Sequence, residues 1–159
     1  MRYKTLGTTG EKLSALTLGT WGIGGTGWGE TSQSNSLAAI DRMLELGVNL
    51  VDTAPVYGFG NPGEQDFGFG CAERLLAKAL KGRRDKVFLV TKCGLNYDRS
   101  KGPSSAYRSM SAQEIREGCE NSLRRLGTDY LDLLLVHWPD GKTPLEEVAQ
   151  AMEDLIRHS

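Results

Sequence analysis

Short apolar runs alternate with longer amphipathic stretches along the whole chain. Leu16–Thr20, Asn49–Asp52, Val87–Lys92 and Leu131–His137 have the length and composition of buried strands. Between them the apolar period changes to that of a helix. Leu37, Ile40 and Leu44 mark a helix over about Ser34–Leu46, with Thr31 or Ser32 as cap and Gly47 just past its end. Leu75, Leu76, Ala79 and Leu80 mark a second, over Cys71–Leu80. Ile115, Cys119, Leu123 and Leu126 mark a third, opened by a Ser111/Glu114 capping box and stopped by Gly127. Leu145, Val148, Met152 and Leu155 mark a fourth, behind a Thr143/Glu146 capping box with Pro144 at the first helical position. Residues 2–18 read as a hairpin about Gly7-Thr-Thr-Gly10, leading into the first strand.

The predicted order is a hairpin followed by four β-α units. Strict alternation implies a parallel sheet with right-handed crossovers. That is either a doubly wound open sheet or part of a (β/α)8 barrel. Gly22-Ile-Gly24-Gly25-Thr-Gly27 satisfies G-x-G-x-x-G, and Asp52 ends the next strand, as a dinucleotide-binding unit requires. However, several residues separate these glycines from the first helical period. A helix displaced that far does not hold a pyrophosphate against the glycine turn. The glycines then read as a mobile loop. The barrel explains more. By alternation, Leu50 faces inward with Asp52, Phe88 and Val90 with Lys92, and Leu133 and Leu135 with His137. Each strand so offers an apolar inner stripe topped by one polar group, as barrel interiors do.

With 159 residues the chain has enough material for one domain with a sizeable core. A net charge of -1 and no basic stripe argue against nucleic acid as a partner. The apolar runs are too short to span a membrane as helices. The start Met-Arg-Tyr-Lys-Thr-Leu-Gly has no apolar signal core, so a cytoplasmic location is expected. Cys71, Cys93 and Cys119 read as reduced thiols, with Cys93 packed toward the helices. With His137 and His158 the only histidines, no metal site is expected. The Arg124-Arg125 pair reads as a solvated helix face.

The chemistry gathers at strand ends. Asp52, Lys92 and His137 each close a run, and Tyr57 follows Asp52 by five residues. Taken singly each has an ordinary reading: a turn carboxylate, a snorkelling lysine, a loop aromatic, a satisfied buried histidine. Together at the carboxyl ends of parallel strands, they form a proton-transfer set. Phenols titrate at about 10, and an adjacent ammonium stabilises the phenolate. Asp52 balances the charge of Lys92, and His137 can donate a hydrogen bond to a substrate oxygen. Trp21, Trp28 and Trp138 lie beside these ends and can wall an apolar pocket.

Leu18-Gly-Thr-Trp21, Val51-Asp-Thr-Ala54 with Val56-Tyr-Gly58, Val90-Thr-Lys92, the segment from Leu123 to Leu133 and Val136-His-Trp-Pro139 resemble the aldo-keto reductase superfamily. The resemblance covers essentially the whole chain. It implies an NADPH-dependent enzyme that reduces aldehydes or ketones to alcohols on a (β/α)8 barrel. Its catalytic set maps onto Asp52, Tyr57, Lys92 and His137. Gly19, Thr20, Trp21 and Asp52 become the cofactor-side contacts, and Trp28, His137 and Trp138 the substrate pocket. Residues 1–159 would be the N-terminal half of the barrel, ending after the fourth helix. Most of the family's cofactor site lies in the other half. The fragment is therefore expected to be inactive alone, to bind NADPH negligibly, and to associate with itself or with a C-terminal half through its open inner face.

Two other functions fit the same residues. Lys92 inside a barrel is a possible Schiff-base lysine of a lyase, although Asp52 beside it disfavours the neutral amine such chemistry needs. A regulatory or assembly subunit would keep the fold and the four residues without turnover.

Overall fold

The structure is a computed structural model. It describes residues 1–25, 27, 29, 32–61 and 63–157. Strands β1 (Tyr3–Thr5) and β2 (Lys12–Ser14) form the expected antiparallel hairpin, with Tyr3 opposite Ser14. Asn49 fastens the hairpin to the sheet: its amide donates to the Lys12 carbonyl at 2.9 Å and accepts from the Ser14 N–H at 2.7 Å.

Four parallel strands follow: β3 (Thr17–Gly19), β4 (Leu50–Asp52), β5 (Phe88–Cys93) and β8 (Leu133–Val136). They pair in the order β3-β4-β5-β8, each with the next major strand in sequence. Helices α1 (Gln33–Glu45), α2 (Cys71–Ala79) and α3 (Ala112–Leu126) make the crossovers, and α4 (Leu145–Arg157) follows β8. A doubly wound sheet would reverse its order at a switch point. This sheet does not, which is the arrangement of a barrel wall. The glycine motif also fails as a helix-borne cradle. Gly22–Gly24 form a 3-10 turn, and α1 starts only at Gln33, where the Ser32 side chain accepts from the Asn35 N–H.

Register explains the packing. Leu18, Val51 and Leu89 are aligned neighbours on the helix-facing side of the sheet and are buried with Ile40, Leu76, Leu80 and Leu126. Cys93 joins Met110, Ile115, Val148 and Ala151 in a second cluster under α3 and α4. On the opposite, inner face Leu133 and Leu135 remain 36% and 38% exposed, so this face is open. Among the described residues no helix is long and apolar enough to cross a membrane.

Several local expectations need correction. The α3 capping box forms only half: Ser111 accepts from the Glu114 N–H at 3.4 Å. The Glu114 carboxylate turns instead to Asn96 and Tyr107 at 2.5 and 2.9 Å. Those two residues belong to a small antiparallel ribbon, β6 (Leu95–Asn96) and β7 (Tyr107–Arg108), which the sequence pattern did not reveal. The Thr143 hydroxyl, expected to cap α4, donates to Asp140 at 2.7 Å. Arg125 is not on a solvated face. Its Nε donates at 2.5 Å to Glu73, whose side chain is fully buried and also accepts from Thr91 at 2.7 Å.

Candidate active site

Lys92 is the penultimate residue of β5, on the open inner face opposite Leu135. Its ammonium donates to Asp52 Oδ2 at 2.7 Å, to the Thr53 carbonyl at 2.8 Å and to the Tyr57 phenol oxygen at 2.9 Å. Three donors meet three acceptors, so the buried cation is fully satisfied. Tyr57 in turn donates to Asp52 Oδ1 at 3.2 Å, long for an O–H···O bond. The phenol proton is therefore only weakly held and can turn toward another acceptor.

Asp52 reaches this cluster because it ends β4. Tyr57 reaches it because the chain turns sharply after the strand: the Tyr57 N–H donates to the Ala54 carbonyl at 3.1 Å. His137 directly follows β8, and its N–H continues the ladder by donating to the Cys93 carbonyl at 2.9 Å. Its ring meets that of Tyr57 edge to face, with centroids 6.2 Å apart. Burial pushes the His137 imidazole below its ordinary pKa, the Lys92 charge pushes it the same way, and Asp52 opposes both. The ring is thus neutral near pH 7 and keeps one N–H to donate. The loop beyond is anchored by Asp140, which accepts from the Thr143, Lys142 and Met110 N–H groups. Those bonds, led by Thr143 and Lys142, hold its carboxyl far below the usual carboxylate range.

All four expected residues, Asp52, Tyr57, Lys92 and His137, are therefore brought to one rim. The flanking positions divide. The exposed Trp21 indole stacks by Tyr57 with centroids 6.1 Å apart, and Trp138 stacks on His137 at 3.7 Å. Gly19 is aligned with Asp52 and exposed. Thr20 requires a correction. It is fully buried, with its hydroxyl 2.8 Å from that of Thr53 and 3.1 Å from the Asp52 carbonyl. It offers no surface to a cofactor and instead supports the backbone that carries Asp52 and Thr53. Trp28 lies outside the described residues.

Sequence reasoning also missed the Thr53 carbonyl, the third acceptor for Lys92; backbone acceptors leave no mark in side-chain chemistry. It missed a ring cluster beside Tyr57 as well. Tyr97 stands 4.7 Å from Phe59 and 5.2 Å from Phe69, and donates to the Asp66 carbonyl. Burial and the nearby Asp66 push the Tyr97 phenol up. A cavity of about 970 Å³ lies behind this rim, lined by Gly24, Ser36, Gln65, Cys71, Arg74 and Lys78 among others. None of the four rim residues borders it.

The family described as "Aldo/keto reductase family" matches residues 15–158. The aldo-keto reductase YhdN of Bacillus subtilis (strain 168) is 42% identical over 98% of this chain and 43% of its own length. An NADH-specific methylglyoxal reductase of Escherichia coli (strain K12) is 37% identical over 98% of this chain and 48% of its own. Among solved structures, an aldo-keto reductase from Bacillus halodurans in its holo form superposes with a TM-score of 0.82. It is 32% identical and covers 99% of this chain and 47% of its own. The chain thus spans about half the length of the relatives it matches.

Proposed function

Because the chain belongs to the aldo/keto reductase family, we propose that it forms part of an NADPH-linked oxidoreductase that reduces aldehydes or ketones to alcohols. The observation that carries this reading is the contact of the Tyr57 oxygen with both Lys92 and Asp52.

Tyr57 donates its phenol proton to the substrate oxygen as negative charge develops there. The Lys92 ammonium, 2.9 Å away, stabilises the phenolate left behind, and Asp52 balances the ammonium charge. Neutral His137 donates its N–H to the same substrate oxygen and orients the carbonyl. A bound nicotinamide cofactor would supply the hydride, which no side chain provides. The residues present fit such a flat ring. Nothing stands within 4 Å of where a Gly19 Cβ would lie, Trp21 exposes its indole, and the Asp52 side chain keeps 30% of its surface. The lyase alternative is weaker. A Schiff-base lysine attacks as a neutral amine, whereas Lys92 directs its protons at three acceptors, one of them a carboxylate.

Two relatives are methylglyoxal reductases, which makes a small dicarbonyl the first substrate to try. NADPH and NADH are to be compared, since one of those relatives is NADH-specific. Tyr57→Phe removes the only proton that this mechanism delivers from the protein. In the enzyme completed by its C-terminal half, the expected result is a loss of methylglyoxal-dependent NADPH oxidation by a factor on the order of 10² to 10⁴. Undiminished turnover in this variant would reject the assignment.

A further inference from the structure

Gly24, Gly58 and Gly68 have no part in the chemistry above, yet they meet at the two peptides that flank Gly58. The two peptides on either side of Gly58 are enclosed from three sides. A Cβ on Gly24 would fall 2.6 Å from the Tyr57 carbonyl carbon and 2.5 Å from the Gly58 nitrogen. A Cβ on Gly68 would fall 2.0 Å from the Gly58 oxygen. Gly58 has a φ of +97°, and a Cβ there would meet the Cys71 sulfur at 2.1 Å. The Cys71 thiol itself donates to the Tyr57 carbonyl at 3.1 Å. A turn from the β3–α1 loop, a turn from the β4–α2 loop and the first residue of α2 therefore close on the residue that carries the phenol.

We propose that Gly24, Gly68 and Cys71 are positioning residues for Tyr57. They fix the backbone from which its ring extends, and so hold the phenol oxygen against Lys92. The functional meaning of this clamp rests on the proton-donor reading of Tyr57; the clamp itself is tested without it. Fixing matters because a misplacement of about 1 Å at a reacting group costs on the order of a hundredfold in rate. The glycines are needed because backbone can approach backbone this closely only where no side chain intervenes. Gly22 provides a matched control. It lies on the same 3-10 turn as Gly24, but nothing stands within 4 Å of its Cβ position.

The test uses the chain labelled with 3-fluorotyrosine and observed by fluorine NMR. There are five tyrosines, and Tyr57→Phe identifies the resonance of interest. Gly24→Ala is expected to shift the Tyr57 resonance and leave the other four in place, whereas Gly22→Ala shifts none. Cys71→Ala, which adds no atoms, is expected to shift it too, and Cys71→Ser, which keeps a donor to the Tyr57 carbonyl, to restore it. In carbonyl reduction by the enzyme completed with its C-terminal half, Gly24→Ala should lower kcat by a factor on the order of a hundred with KM little changed. An unmoved Tyr57 resonance in Gly24→Ala, or an equal shift of all five, overturns the proposal. If Gly24→Ala does not fold, an unmoved resonance in Cys71→Ala overturns it. A shifted resonance with unaltered turnover leaves the clamp standing and removes the proton-donor reading instead.

Discussion

The Lys92 ammonium stands 2.9 Å from the Tyr57 phenol oxygen and 2.7 Å from the Asp52 carboxylate. A cation is thus shared between the proposed proton donor and a carboxylate that balances its charge. Lys92 is largely enclosed, with 11% of its side chain exposed, while Asp52 keeps 30%. The pair therefore lies between the surface case, worth about 0–1 kcal/mol, and the fully buried case, where breaking one partner costs about 3–5 kcal/mol.

Asp52→Asn should accordingly destabilise the chain by about 1–3 kcal/mol, because Lys92 keeps two acceptors but loses its counter-charge. Urea unfolding of the two proteins measures this. An equal midpoint would mean that the carboxylate contributes nothing to holding the cation.

The largest single stability effect is expected away from the rim. Glu73 is fully buried and depends on Arg125 for neutralisation. Arg125→Met leaves that carboxylate without its cation and should cost about 3–5 kcal/mol. Arg124→Met, on the exposed neighbour, should cost no more than about 0.5 kcal/mol. Glu73→Gln added to Arg125→Met should recover part of the loss. Equal unfolding midpoints for the two single arginine variants would contradict the pairing.

His137 gives the pH dependence a definite sign. Its folded pKa is depressed by burial and by Lys92, so below about 6.5 the unfolded chain binds a proton that the folded chain refuses. Stability falls as the pH drops through that range, and the term vanishes above it. The stability difference between the wild type and His137→Asn should therefore move against the wild type between pH 7.5 and pH 5. Unfolding curves at several pH values check this; a difference that stays flat or moves toward the wild type would contradict it.

The fold was legible because two periods alternate cleanly. Strand ends, helix faces and the stop at Gly127 follow from spacing alone. The rim residues were legible for the same reason: each closes an apolar run, and parallel strands bring such ends together. Glu73 was missed although a signal existed. It stands three residues before Leu76 and seven before Leu80, on the buried stripe of α2. Its partner Arg125 is 52 residues away, and no local pattern joins them. Thr20 was misplaced because a hydroxyl beside a strand end reads equally well as a ligand contact or as an internal bond. The ribbon at Leu95–Arg108 pairs only two residues a side, too few for alternation to show. Asp66 and Phe67 adopt positive φ without being glycine, which composition does not announce.

The linkage of Lys92 to Tyr57 is tested most directly by a double-mutant cycle on carbonyl reduction. Lys92→Met, Tyr57→Phe and the double variant, each in the enzyme completed by its C-terminal half, are assayed with NADPH and methylglyoxal. If Lys92 acts through the Tyr57 phenol, the double variant loses no more activity than Tyr57→Phe alone. Losses that multiply would show two independent contributions and contradict a shared proton-donating unit.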